Sequence, residues 1–123
     1  MSEDNKLRVV MVEPGKPAYE TEIENTLKAE QEAVGGYIEV LPLDNEKLLI
    51  CNEEGKLNGM RGNRRIGNDV IAGPFFIVGE DGDEFRSLTD EEVRESLERF
   101  AESEEITQEE VENAMSAGIM FFG

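Results

Sequence analysis

Histidine is missing from this chain altogether, tryptophan is missing too, and cysteine occurs once, as Cys51. Without histidine there is no Ser-His-Asp or Cys-His nucleophile pair, no usual neutral-pH general base, and none of the commoner zinc sites. A single cysteine excludes an internal disulfide and a redox pair. Positive charge is also scarce: 12 Lys and Arg stand against 29 Asp and Glu, a net charge of −17. Such a surface repels nucleic acid and anionic lipid, so neither direct nucleic-acid binding nor membrane binding is expected. It can instead imitate nucleic acid or engage basic partners. No apolar run is long enough to cross a bilayer, and the opening MSEDNKLR lacks the apolar region of a signal peptide. The expected location is the cytoplasm.

What is present fits one domain. With 123 residues the chain can bury roughly two-thirds of its unfolded surface. Apolar residues make up 38%, with six Phe, enough for a modest core, and the charged share of 33% exceeds the usual quarter or so.

The order of elements is readable from pattern. Leu7 to Pro14 (LRVVMVEP) is a valine-rich run suited to a buried strand, broken by PGKP. From Tyr19 the spacing Tyr19, Ile23, Leu27, Val34 predicts a helix, ended by a left-handed cap at Gly35-Gly36. YIEVLPL and KLLICN then read as strands, Asn58-Gly59 as a turn, and Asn63 to Ile66 as a short extended stretch. DVIAGPFFIVG reads as one buried strand, with Pro74 marking an edge and Gly73 a bulge. Asp81-Gly82 predicts a tight hairpin turn returning through EFRSL. Two helices follow, each opened by the same device: Leu88-Thr89-Asp90-Glu91-Glu92-Val93 and Ile106-Thr107-Gln108-Glu109-Glu110-Val111 both place an N-cap threonine three residues before a glutamate, between stapling apolar residues. The expected fold is α+β: a mostly antiparallel sheet of four to six strands, one helix after the first strand and two C-terminal helices. Residues 1–100 are expected to form a single domain, and 101–123 a helical extension packed on it.

Against the acidic background, Lys56, Arg61, Arg64 and Arg65 stand in eleven residues, 56–66, that contain no acid. Residues 80–112, by contrast, hold fifteen acids and three arginines, a net of −12. With Asn52, Asn58 and Asn63, the four cations form the candidate binding site: guanidinium groups offer bidentate contacts to phosphate or carboxylate, and amides read a base or sugar edge. Tyr37 or a Phe would stack on a base. The alternative is that these cations pair with the chain's own acidic helices. No catalytic constellation emerges. Asp81, Asp83 and Glu92 fall at positions 1, 3 and 12 of a calcium loop, but Phe85 and Arg86 occupy positions that need a ligand and a glycine. Glu53 and Glu54 are adjacent, so they point apart. Cys51 reads as a small core residue. The apolar tail Met115, Ile119, Met120, Phe121 and Phe122 is expected to close the core, with an anchor for a second copy or a target groove as the alternative.

Several of these segments, VEPGKPAYETEI, EAVGGYIEV, CNEEGKLNG, Asn63-Arg64, DVIAGPFFIVG and SLTDEE, resemble in that order the family called domain of unknown function 3846, from about Leu7 to Phe100. Proteins of that family occur in phages, plasmids and conjugative elements, often near anti-restriction genes or inside larger polyvalent proteins. The resemblance implies a mobile-element protein in the bacterial cytoplasm. It brings no activity, cofactor or catalytic residue. The expected function is therefore a non-enzymatic binding protein that counters host defence by occupying a host protein surface, through acidic nucleic-acid mimicry or docking. The alternatives are a binder or sponge for a small anionic ligand such as a nucleotide signal, held by the basic island, and a structural protein.

Overall fold

The computed structural model describes the backbone of residues 5–122 and the side chains of residues 5–115. Eleven elements follow in chain order: β1 (Lys6–Val12), β2 (Tyr19–Glu24), α1 (Leu27–Val34), β3 (Ile38–Asp44), β4 (Lys47–Asn52), β5 (Gly62–Ile66), β6 (Asp69–Ala72), β7 (Phe75–Asp81), β8 (Glu84–Arg86), α2 (Asp90–Arg99) and α3 (Gln108–Phe122). The fold is α+β. Six strands make one antiparallel sheet in the order β2-β1-β7-β4-β3, with β8 paired to β7, and β5 and β6 form a separate two-stranded ribbon.

Strand periodicity divides the apolar residues between two faces. Val10 and Val12, Leu49 and Cys51, and Phe75 and Ile77 share one face with Leu88, Val93 and Phe100 from the α2 region and Ile71 from β6. Leu7, Val9 and Met11, Leu48 and Ile50, and Phe76 and Val78 share the other, covered by Val34 of α1. The three inner strands are buried on both faces, which is why their sequences read as continuous apolar runs. Phe75 and Phe100 meet edge to face, ring centroids 5.4 Å apart. A smaller cluster, Val70, Ala72 and Val111, seats α3 on the β5–β6 ribbon.

Two elements differ from expectation. The segment from Tyr19 begins as a strand: β2 pairs antiparallel with β1 from Met11–Tyr19 to Lys6–Glu24, and the helix starts only after Thr26, whose hydroxyl accepts from the amide of Ala29. A spacing of four residues satisfies strand alternation as well as a helical turn, and β1 supplied the partner that tipped the balance. DVIAGPFFIVG is not one strand but two in different sheets, broken at Gly73, whose φ of +86° turns the chain before Pro74. β7 is central rather than an edge. The proline that does lie inside a strand, Pro42, sits on edge strand β3 beside a bulge.

The caps follow the sequence closely. Gly35 ends α1 at φ +82°, its amide and that of Gly36 both donating to the carbonyl of Gln31. Thr89 and Glu92 form the complete capping box of α2. At α3, Thr107 Oγ1 accepts from the amide of Glu110, but the Glu110 carboxylate turns away to Arg65. Residues Ile119, Met120, Phe121 and Phe122 of the apolar tail have side chains outside those described.

A candidate acidic cleft and an internally compensated basic island

The segment Cys51–Leu57 leaves β4, turns, and crosses the end of β6. Between it, β3 and the ribbon lies a cleft of about 210 Å³. Glu39 and Leu41 of β3 and Cys51 of β4 form one wall, Glu53, Glu54 and Lys56 the turn, and Asp69 to Ala72 the other side, with Met115 of α3 at the margin. The turn is fastened closely: Gly55 leaves no room for a side chain, because a Cβ there would overlap the carbonyl oxygen of Ala72.

Asn52 orders this region from beneath. Its Nδ2 donates to the carbonyl of Val34 at the end of α1, and its Oδ1 accepts from the amide of Glu54 at 2.7 Å. Glu39 lies directly across from Cys51 in the β3–β4 register. Burial, together with the negative charges of Glu39 and Asp69, pushes the Cys51 thiol up to about 12, so it is no nucleophile at neutral pH. Four carboxylates, Glu39, Glu53, Glu54 and Asp69, face one ammonium, Lys56, which is already held by Asp69 at 2.6 Å. The cleft is thus anionic. Among the described residues, no group of three or more Asp, Glu, Cys or His is placed to hold a metal ion.

The cations expected to form an open patch are dispersed, and the expectation that they lack counter-charges does not hold for Lys56 and Arg65. Arg64 is 1% exposed and donates to the carbonyls of Asn63, Lys16 and Phe100 and to Asn63 Oδ1. Burial lowers its basicity, with Glu104 acting in the opposite direction. Asn63 is wholly buried, its amide donating to the carbonyls of Val12 and Gly73. Arg65 is gripped from α3 and the segment before it, by Glu110 at 2.6 Å and 2.8 Å and by Glu104 at 3.2 Å. Among the described residues neither Arg64 nor Arg61 makes an ion pair, and of the two only Arg61 is exposed, its guanidinium lying against Gly15. Alternation explains the separation: neighbouring positions on β5 point to opposite sides, so Arg64 enters the interior while Arg65 faces α3.

Of the residues expected to bind, Asn52 and Lys56 line the cleft; Tyr37, Asn58, Arg61, Asn63, Arg64 and Arg65 do not. Tyr37 is 69% exposed and Asn58 lies in the exposed turn before Gly59. Glu39 and Asp69 were not anticipated. The alternation Glu39, Leu41, Leu43 on an edge strand did carry that signal for Glu39.

The exposed acids are organised elsewhere as well. Glu20, Glu22 and Glu24 alternate along edge strand β2, and Arg8 ties this row to α2 by bridging Glu20 at 2.6 Å and Asp90 at 2.5 Å. Asp90, Glu91, Glu95 and Glu98 continue the acidic face along the helix. No helix among the described residues is long and apolar enough to cross a membrane.

Fold and surface together define an acidic, antiparallel α+β domain most of whose basic residues are engaged by its own structure. Residues 7–101 match the family described as Domain of unknown function (DUF3846), and the chain belongs to it. The match runs from β1 to just beyond α2. No curated protein and no solved structure matches the chain.

Proposed function

We propose that the protein is a non-enzymatic binding protein of a phage or other bacterial mobile element, which counters host defence by covering a basic host protein surface with its acidic face. The observation that supports this is the division of charge. Three of the four cations of the central island are consumed internally, while the acids of β2 and α2 remain on the surface. A surface with this excess accelerates encounter with a basic partner and holds it in a salt-sensitive way. Docking of the β2–α2 face is the mechanism, and the edge position of β2 leaves its free side open beside the acidic row.

An anionic nucleotide finds less support. The cleft that contains Lys56 carries four carboxylates, and Arg64 offers no exposed guanidinium to a phosphate.

The test is capture from a bacterial host lysate by the wild-type chain and by a variant carrying Glu22→Gln, Glu91→Gln and Glu98→Gln. These three side chains carry the face without supporting the fold: among the described residues Glu91 and Glu98 pair only with exposed Arg94, at 4.0 and 3.7 Å. A host protein retained by the wild type should be released as ionic strength rises from about 0.1 to 1 M, where the screening length falls from about 10 to 3 Å. It should also be lost from the variant. Retention unaffected by both treatments would overturn the acidic-docking mechanism, and capture of no partner would overturn the proposal as a whole.

A further inference from the structure

On the other side of the sheet, between the first turn of α1 and the β7–β8 turn, a second cavity of about 260 Å³ is lined by Asn25, Leu27, Glu30, Asp83, Glu84 and Phe85. Glu30 sets it apart from an ordinary acidic patch. Its residue is only 6% exposed, yet it lines the open cavity, and no side chain among the described residues pairs with its carboxylate. Burial pushes this carboxyl above its usual range, and no neighbouring cation acts against that. In the sequence Glu30 falls on the apolar stripe of α1, between Leu27 and Val34, where a nonpolar residue would pack without this penalty. An acid held there without a partner is a group waiting for a counter-charge from outside.

The rest of the lining defines the counter-charge. Asp83 and Glu84 add two carboxylates at the rim, while Leu27 and Phe85 supply apolar walls. Among the described residues, no set of three acids is close enough to hold a metal ion. The carboxylates are spread around a space larger than an ion, and Leu27 and Phe85 give it a smaller apolar part. We propose that this cavity binds an organic cation of the alkylammonium class, its ammonium group received by Glu30, with Asp83 and Glu84 at the rim adding negative charge, and its methylene chain lying on Leu27 and Phe85. A free polyamine and a lysine side chain share this chemistry, since both carry a charged head on an apolar stem. The site is independent of the β2–α2 docking face.

Calorimetric titration at low ionic strength tests this with putrescine, spermidine, N-acetyl-lysine methylamide and, as a neutral control, 1-butanol. Saturable one-to-one binding of at least one amine is expected, with none for the alcohol. Preference for the polyamines would mark a small-molecule site, and preference for the lysine derivative a side-chain site. Loss of one charge-assisted contact in Glu30→Gln should weaken binding about tenfold. Asp83→Asn, in the exposed turn, should weaken it as well without touching the buried helix face, so that binding remains interpretable if the Glu30 variant is poorly folded. Glu32→Gln, exposed on the same helix, should leave it unchanged. The docking variant at Glu22, Glu91 and Glu98 should retain amine binding, which separates failure of this site from failure of the docking face. Equal weakening by Glu32→Gln would reduce the effect to general charge attraction and overturn the proposal. So would absence of saturable amine binding, or Glu30-dependent binding of calcium in preference to every amine.

Discussion

Arg64 Nη2 donates to the carbonyl oxygen of Phe100 at 3.0 Å, so a side chain of the β5–β6 ribbon closes the C-terminal end of α2. The same nitrogen donates to the carbonyl of Lys16 at 2.8 Å, and Nη1 to Asn63. One planar fork thus joins the ribbon, the PGKP loop and the helix end, using carbonyls in place of a carboxylate. Among the described residues, no ion pair repays burial of this charge, and Nε has no partner. The hydrogen bonds must carry it.

Arg64→Ala should therefore cost about 3 kcal/mol, because it leaves buried carbonyls unsatisfied and opens a cavity. Arg64→Lys should recover less than half, as an ammonium cannot reach carbonyls on three segments at once. Arg61→Ala, at an exposed position, should stay within about 0.5 kcal/mol. Urea unfolding of the three variants checks the order. Equal costs at positions 61 and 64 would remove Arg64 from its role as an internal pin.

These two arginines show what the sequence could and could not convey. Four cations without a neighbouring acid were visible, and so was the option that they pair with the acidic helices. Which arginine enters the interior depends on strand register, and register is set by β6 and α3, distant in sequence. The elements themselves were mostly legible: apolar runs marked the inner strands, and Thr89 with Glu92 marked α2, because those signals are local. Tyr19–Glu24 was not, since its spacing fits both periods and only pairing with β1 decides. Glu30 carried a legible anomaly, an acid on an apolar stripe, whose meaning depended on the β7–β8 turn opposite it.

The β3–β4 hairpin turns through Asn45 at φ +41° and Glu46 at φ +67°. Asparagine tolerates the left-handed region, but glutamate there is strained by roughly 1–2 kcal/mol. Glycine at position 46 would relieve that strain and complete the favoured Asn-Gly pair. It would also give up about 0.5–1 kcal/mol through the entropy of the unfolded chain. Glu46→Gly should therefore stabilise by a net ~0.5 kcal/mol. The Glu46 carboxylate approaches Arg86 only to 3.7 Å and is 79% exposed, so its loss subtracts little. A lower urea midpoint than wild type would show that this pair matters more than the backbone.

Cys51 tests the packing of the acidic cleft. A thiol pushed up to about 12 and only 3% exposed should resist alkylation at pH 8, where roughly one molecule in ten thousand carries the thiolate. Labelling with iodoacetamide should be slow in buffer and become fast at the urea concentration that unfolds the domain. Glu39→Gln removes one of the charges that hold the thiol neutral and should quicken native-state labelling without changing the midpoint. Rapid labelling of the folded wild type would mean that the cleft opens to expose β4.

Acid stability depends on opposing carboxyls. The Arg86 guanidinium, 2.8 Å away, holds the Glu92 carboxyl down at about 2, helped by the backbone amide of Thr89. A carboxyl depressed in the folded state stabilises the protein above its ordinary range and loses that contribution as pH falls from about 4.5 toward 2. With both side chains mostly buried, the loss is on the order of 2 kcal/mol. Glu30 works the other way: its carboxyl is raised by burial, so it costs stability at neutral pH and is relieved on protonation. Comparing wild type with each variant between pH 7 and 3 separates the two. Glu92→Gln should be less stable at pH 7, and its deficit should narrow by about half at pH 3, closing only toward pH 2. Glu30→Gln should match or exceed wild type at pH 7 and lose that advantage on acidification. A Glu92→Gln deficit that persists undiminished at pH 3 would assign its effect to the lost cap geometry rather than to the charge facing Arg86.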